Sequence, residues 1–144
     1  MNAVELLKNA KIEVEPETFG FVSIGWEGWK KLLESPQLSP RMTAPFMIFR
    51  DGHEVTLMLD ETDLANMRSG LSEAKVESGY RMLTFDVVLD LSVIGFMAQV
   101  TRILADANIS VLPIAAFSRD HLLIRQDDLA AALRALGPYV NDIC

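Results

Sequence analysis

The segment Asp90-Leu91-Ser92-Val93-Ile94-Gly95-Phe96 is where residue type and spacing bear most directly on chemistry. An acid and a hydroxyl stand two residues apart, and a glycine follows just before a helix-periodic run. If Gly95 opens that helix, unpaired backbone N–H groups and the positive end of the helix dipole face the preceding loop. Such a corner suits a carboxylate. Asp90 and Ser92 offer acceptors for an amine, and Gly95 has no Cβ to keep a ligand away from the backbone. Asp120 is a further carboxylate, just after Phe117-Ser118-Arg119, although Asp also favours turns for its own backbone hydrogen bonding. The plain alternative is a strand end and a well-capped helix start that bind nothing.

Other polar residues read as structural. His53 and His121 lie at hairpin turns, and no Cys, His or carboxylate cluster around either has the spacing of a metal site. Glu61, Asp63, Asp127 and Asp128 read as helix starts, where negative charge is favourable. Trp26 and Trp29 read as core or interface residues that are also able to wall a pocket. There is no nucleophile elbow, phosphate-cradling glycine loop or HExxH, and no cofactor motif. The expectation is a protein that is not an enzyme and needs no cofactor or metal.

These residues need elements to position them. Ile12 and Val14 alternate with Glu13 and Glu15, which predicts a strand ending at Pro16. Phe19 to Ile24 predicts a second strand, and Trp26, Trp29, Leu32 and Leu33 form a one-sided helical stripe. Phe46 to Arg50 and Glu54 to Leu59 are β-rich runs around Asp51-Gly52, which predicts a tight hairpin. Asp60 and Asp63 open a helix closed by Gly70. In the second half, Tyr80 to Leu89 reads as a buried strand. Gly95 to Ala107 reads as a helix with Phe96, Val100, Ile103 and Leu104 on one face. Ile109 to Phe117 and His121 to Arg125 read as strands, and Asp127 opens a last helix stopped by Gly137-Pro138. Strand, helix, strand, strand, helix thus occurs twice, the split βαβ pattern. Phe49-Arg50-Asp51-Gly52-His53 and Phe117-Ser118-Arg119-Asp120-His121 occupy equivalent turns.

The bulk properties agree with a small folded protein. The chain has 144 residues, half of them apolar, and a formal net charge of −7. That is enough for one domain or two small ones sharing a core. The acidic balance argues against nucleic acid or an anionic membrane as partner. Cys144 is the one cysteine, which fits a reducing compartment. The N-terminus has no signal-peptide pattern, and no run approaches the length of a membrane span. A cytoplasmic location is expected.

From Tyr80 to Leu136 the chain resembles the ACT domain superfamily, and specifically the tandem-ACT family typified by the CASTOR arginine sensors and small bacterial relatives. The resemblance is carried by Gly79-Tyr80-Arg81-Met82-Leu83, by Leu89 to Phe96, by Leu104-Ala105-Asp106-Ala107-Asn108-Ile109-Ser110-Val111, and by Phe117 to Ile124 running on to Asp127-Asp128-Leu129. Phe46 to Leu59 looks like the family's first hairpin. The resemblance implies an α+β fold of two ferredoxin-like (βαββαβ) ACT repeats, residues 1–75 and 76–144, with antiparallel sheets and helices on one face. It implies a non-catalytic regulatory protein that binds a small amino acid at the loop between first strand and first helix. The implied ligand residues are Asp90, Ser92, Val93, Ile94, Gly95, Phe96, Phe117 and Asp120. The first repeat is expected to contribute from Phe19–Gly25 or Phe46–Phe49, and a homo-dimer or other homo-oligomer is expected. A ligand-free oligomerisation module is the alternative. The chain departs from the family at Ser92 and Ile94, where many members have Asp and Pro. It departs again at Ala115-Ala116-Phe117-Ser118, where nearer members have Ser-Thr-Tyr-Asp.

Overall fold

The computed structural model describes residues 1–144. In chain order the elements are α1 (Ala3–Asn9), β1 (Lys11–Val14), β2 (Phe19–Ile24), α2 (Trp26–Leu33), β3 (Met47–Arg50), β4 (Val55–Asp60) and α3 (Glu61–Met67). They continue through β5 (Lys75–Asp86), α4 (Phe96–Asp106), β6 (Val111–Ala115), β7 (Asp120–Arg125), α5 (Leu129–Leu136) and β8 (Asp142–Ile143). They form two compact units. Glu17–Tyr80 make an inserted unit, and Met1–Pro16 with Arg81–Cys144 make a terminal unit. This division differs from 1–75 and 76–144, because the first sixteen residues pack with the C-terminal half.

The inserted unit reads β-α-β-β-α-β, from β2 through α2, β3, β4 and α3 to the first half of β5. Its strands lie in the order β3-β4-β2-β5, all antiparallel. That is the ferredoxin-like arrangement. Alternation along the strands selects the core: Val22, Ile24, Val55, Leu57 and Leu59 face Leu32 of α2 and Leu64 and Met67 of α3. Gly20 is required by this packing, since a Cβ there would lie 2.2 Å from Leu64 Cδ1. The expected one-sided stripe of α2 holds only in part. Leu32 is buried, but Trp26 and Leu33 are exposed. Nor is the β3–β4 connection a two-residue turn. Gly52 does not have positive φ. Asp51 Oδ1 instead accepts from the His53 and Glu54 amides at 2.7 and 2.9 Å, and the Asp51 amide donates to the Glu54 carbonyl at 3.1 Å.

The long stretch between α2 and β3 has no regular structure, yet it is fastened. Arg41 donates through Nε to Asp63 Oδ1 at 2.8 Å and through Nη2 to Asp60 Oδ2 at 2.7 Å. Asp60 also caps α3, accepting from the Asp63 amide at 2.8 Å. Asp63 thus opens the helix as expected, and it is also a fully buried anchor.

The terminal unit repeats the pattern with the second half of β5, α4, β6, β7, α5 and β8. Here β1 sits between β5 and β8, antiparallel to the first and parallel to the second. The N-terminal segment therefore fills the sheet position next to β5 that a single repeat would give to its own last strand. The helices α1, α4 and α5 cover one face. Leu7, Ile12, Leu83, Phe85, Phe96, Val100, Leu104, Leu122, Ile124 and Leu136 form the core. The observed strand β5 begins five residues earlier than the apolar run at Tyr80 predicts and stops at Asp86. Val87 to Gly95 is then free to form a loop. No helix is long and apolar enough to cross a membrane.

Candidate functional site

The loop after β5 meets the β6–β7 hairpin at the N-terminus of α4. The Leu89 amide donates to the Ser118 carbonyl at 2.8 Å, which ties the two together. Inside the loop, Asp90 Oδ1 accepts from the Ser92 hydroxyl at 2.6 Å and the Ser92 amide at 2.9 Å, and the Val93 amide donates to the Asp90 carbonyl at 3.0 Å. These bonds, the Ser92 hydroxyl first, hold the Asp90 carboxyl below its ordinary range. Gly95 then turns the chain with φ +87°, a left-handed conformation that a side chain rarely adopts.

After that turn the first intrahelical bond runs from the Gln99 amide to the Gly95 carbonyl at 3.0 Å. The amides of Phe96, Met97 and Ala98 precede it, and no side chain caps the helix. Beside them opens a cleft of about 310 Å³, lined by Leu89, Asp90, Leu91, Val93, Gly95, Phe96, Met97, Ala98, Ala115, Ala116, Phe117 and Asp120. All these residues belong to the terminal unit.

Of the eight residues singled out by sequence, the cleft brings together Asp90, Val93, Gly95, Phe96, Phe117 and Asp120. Ser92 is absent from the wall, and its hydroxyl donates to Asp90 Oδ1. Ile94 is 90% exposed and faces solvent. Phe96 offers the cleft little side chain. Its ring is buried and packs edge-on against Phe85, with centroids 5.7 Å apart. Phe117, 82% exposed, stands at the rim with Leu91. Met97, Ala98, Ala115 and Ala116, together with Leu89 and Leu91, also line the cleft and were not singled out by sequence. The first two follow from counting three amides into the helix, and the alanines from seeing that small side chains leave room.

Asp120 differs from Asp90. No protein donor pairs with its carboxylate, and burial raises its pKa, offset in part by neighbouring His121. His121, expected at a turn, lies on β7 and is half-buried, with Nδ1 2.9 Å from Thr84 Oγ1. The cleft thus offers three free amides, one engaged carboxylate, one unpaired carboxylate and apolar walls.

The equivalent corner of the inserted unit is built differently. There β2 passes into α2 through Gly25 alone. The Arg50 guanidinium lies over the Trp26 ring at 4.4 Å, and the Ser23 hydroxyl donates to Glu54 Oε1 at 2.5 Å. Helix α2, like α4, opens without a side-chain cap, so what distinguishes this corner is the cation–ring pair and the Ser23–Glu54 bond beside it.

Comparison with known proteins agrees with this architecture. The ACT domain family profile matches residues 75–137, the stretch from β5 through α5. No curated protein sequence matches the chain. Among solved structures, a structural-genomics protein from Agobacterium tumefaciens is similar over 94% of this chain and 92% of its own, at 15% identity and TM-score 0.69. A protein of unknown function from Vibrio cholerae, described as a possible transport protein, is similar over 95% and 94%, at 24% identity and TM-score 0.68. The ligand-free regulatory subunit of aspartate kinase from Thermus thermophilus is similar over 92% and 98%, at 14% identity and TM-score 0.62. At these identities the likeness is one of fold. The chain is an α+β protein of two ferredoxin-like units, and the family match lies over residues 75–137.

Proposed function

We propose that the protein is a non-catalytic regulatory module, a tandem-ACT protein of the CASTOR-like kind, whose terminal unit binds a small amino acid in the cleft at Gly95. The observation that carries this reading is the pairing of the free Phe96, Met97 and Ala98 amides with the unpaired Asp120 carboxylate across one cleft. The amides suit a ligand carboxylate and Asp120 suits its ammonium group. The family match over residues 75–137 and the shared fold with an aspartate kinase regulatory subunit support the same role. A ligand that binds only the folded form must raise the melting temperature. Thermal-shift measurements with the twenty amino acids at millimolar concentration test this, and a set of flat responses overturns it.

A second reading is a ligand-free interaction module. It is favoured by the exposed apolar side chains of Leu91, Ile94 and Phe117 around the cleft mouth. Flat amino acid responses, together with self-association weakened by Phe117→Ser, support this reading over the first.

A further inference from the structure

The inserted unit holds a cavity of its own, which the proposed function does not use. It is half-enclosed, has a volume of about 290 Å³ and lies where α2, the sheet and the long segment before β3 meet. Its walls include Trp29 and Leu32 of α2, Leu57 of β4 and Met67 of α3, together with Leu38 and Pro40 of that segment. All of them belong to the inserted unit.

Polarity limits what can occupy it. No ionisable side chain lines the cavity. Ser39 brings the one hydroxyl, and this is engaged, donating to the Pro36 carbonyl at 2.5 Å. A charged ligand would lose its hydration here and gain no counter-charge. An ordered water would lack the roughly three polar partners that hold one in place.

The segment that walls the cavity is held in position. Residues 34–46 contain neither helix nor strand, and a connection of that length in a small unit is commonly functional. Pro36, Pro40 and Pro45 stiffen it. Arg41, directly after Pro40, fastens it to Asp60 and Asp63 at 2.7 and 2.8 Å, and its backbone amide donates to Asp63 Oδ1 at 3.2 Å. Asp63 is fully buried. A buried ion pair stabilises less than apolar packing of similar volume would, because both charges lose water. Its effect here is to fix where the segment lies. A loop that only shielded the core would pack down on it, since interiors leave few voids larger than a water.

We infer that this cavity binds a neutral aromatic group, a single ring carrying a short alkyl chain. An apolar cavity of about 150 Å³ is enough to hold benzene, and this one has about twice that room. Trp29 offers a ring and Met67 a thioether, both of which pack well against an aromatic ligand. Such a ligand is unlike the zwitterion read for the Gly95 cleft. The site shares no residue with that cleft, and it stands if the cleft binds nothing.

The test uses the full chain carrying Trp26→Phe, which leaves Trp29 as the one tryptophan. Titration with ethylbenzene is expected to shift Trp29 emission to shorter wavelength and to saturate. Benzylamine, its charged counterpart of equal size, is expected to bind at least about tenfold more weakly. Ile48, 42% exposed, also lines the cavity. Ile48→Lys is expected to weaken ethylbenzene binding by about tenfold with unchanged circular dichroism, whereas Val4→Lys on α1 leaves it unchanged. Arg41→Gln is expected to weaken it as well, by releasing the segment. An emission change that never saturates overturns the proposal, as does benzylamine binding equal to that of ethylbenzene. Binding that Ile48→Lys leaves intact overturns the site, and binding that Arg41→Gln leaves intact overturns the part given to the segment.

Discussion

Asp120 and Asp63 are both acidic residues next to packed elements, and they are held in opposite ways. Asp63 is fully buried, but Arg41 supplies hydrogen bonds to it from both side chain and backbone. Removing it leaves Arg41 held by Asp60 alone and loosens the segment before β3, so Asp63→Ala is expected to cost about 2–3 kcal/mol in urea unfolding. Asp120 has no donor, and its pKa is raised by burial. A group that binds its proton more tightly when folded stabilises at low pH, and that contribution is lost as pH rises through its folded value. At neutral pH its charge is therefore a burden in the empty cleft. Asp120→Asn is expected to raise the melting temperature without ligand and to abolish the shift produced by an amino acid. A fall in the ligand-free melting temperature counts against this account. His121 has the other sign. Burial lowers its pKa from 6.5, so the folded state resists the second proton. Stability is present above that value and is lost as pH falls below it. His121→Gln is expected to flatten the decline in melting temperature between roughly pH 7 and pH 5.

At the scale of elements, the two βα corners show what one residue type decides. Gly95 takes φ +87° in open space, and a Cβ at that position would come no nearer than 4.0 Å to Ala3 Cβ. Gly95→Ala therefore meets strain and no clash. It is expected to lose about 1 kcal/mol in urea unfolding and to weaken amino acid binding by tilting the first turn of α4. In sequence this corner was legible because Asp90, Ser92 and Gly95 each have a local job that their type betrays. The elements themselves were legible for the same reason: strands of period two and the Phe96, Val100, Leu104 stripe report their own burial. The exposure of Ile94 was not legible: it is apolar, and only the direction in which the chain leaves Gly95 turns it to solvent. Arg41 was also silent, since its partners lie about twenty residues away in a segment with no periodicity. The hairpin at Asp51-Gly52 misled for a physical reason. The Asp51 side chain holds the turn through two amides, so the glycine's freedom is not needed.

For the whole molecule, the terminal unit depends on residues far from it in sequence. Leu7, Ala10 and Ile12 are fully buried in that unit, and β1 supplies one of its inner strands. Each buried aliphatic side chain contributes about 2 kcal/mol, comparable to a sizeable part of a small domain's stability. A fragment of residues 75–144, which contains the whole family-matched segment, is therefore expected to give poorly dispersed amide spectra. Adding a peptide of residues 1–16 is expected to restore dispersion. A well-dispersed fragment alone refutes this dependence. The boundary at residue 75 suggested by the internal repeat missed the arrangement because repeats are read along the chain, whereas β1 is recruited from outside its own repeat. During synthesis, Glu17–Tyr80 emerge complete and have everything needed to fold. Residues 1–16 must wait for β5, and their other neighbour, β8, is translated later still. Residues 1–16 thus find their place only after later segments have been made, and a pause or truncation before β5 and β8 leaves an apolar helix and strand without a home.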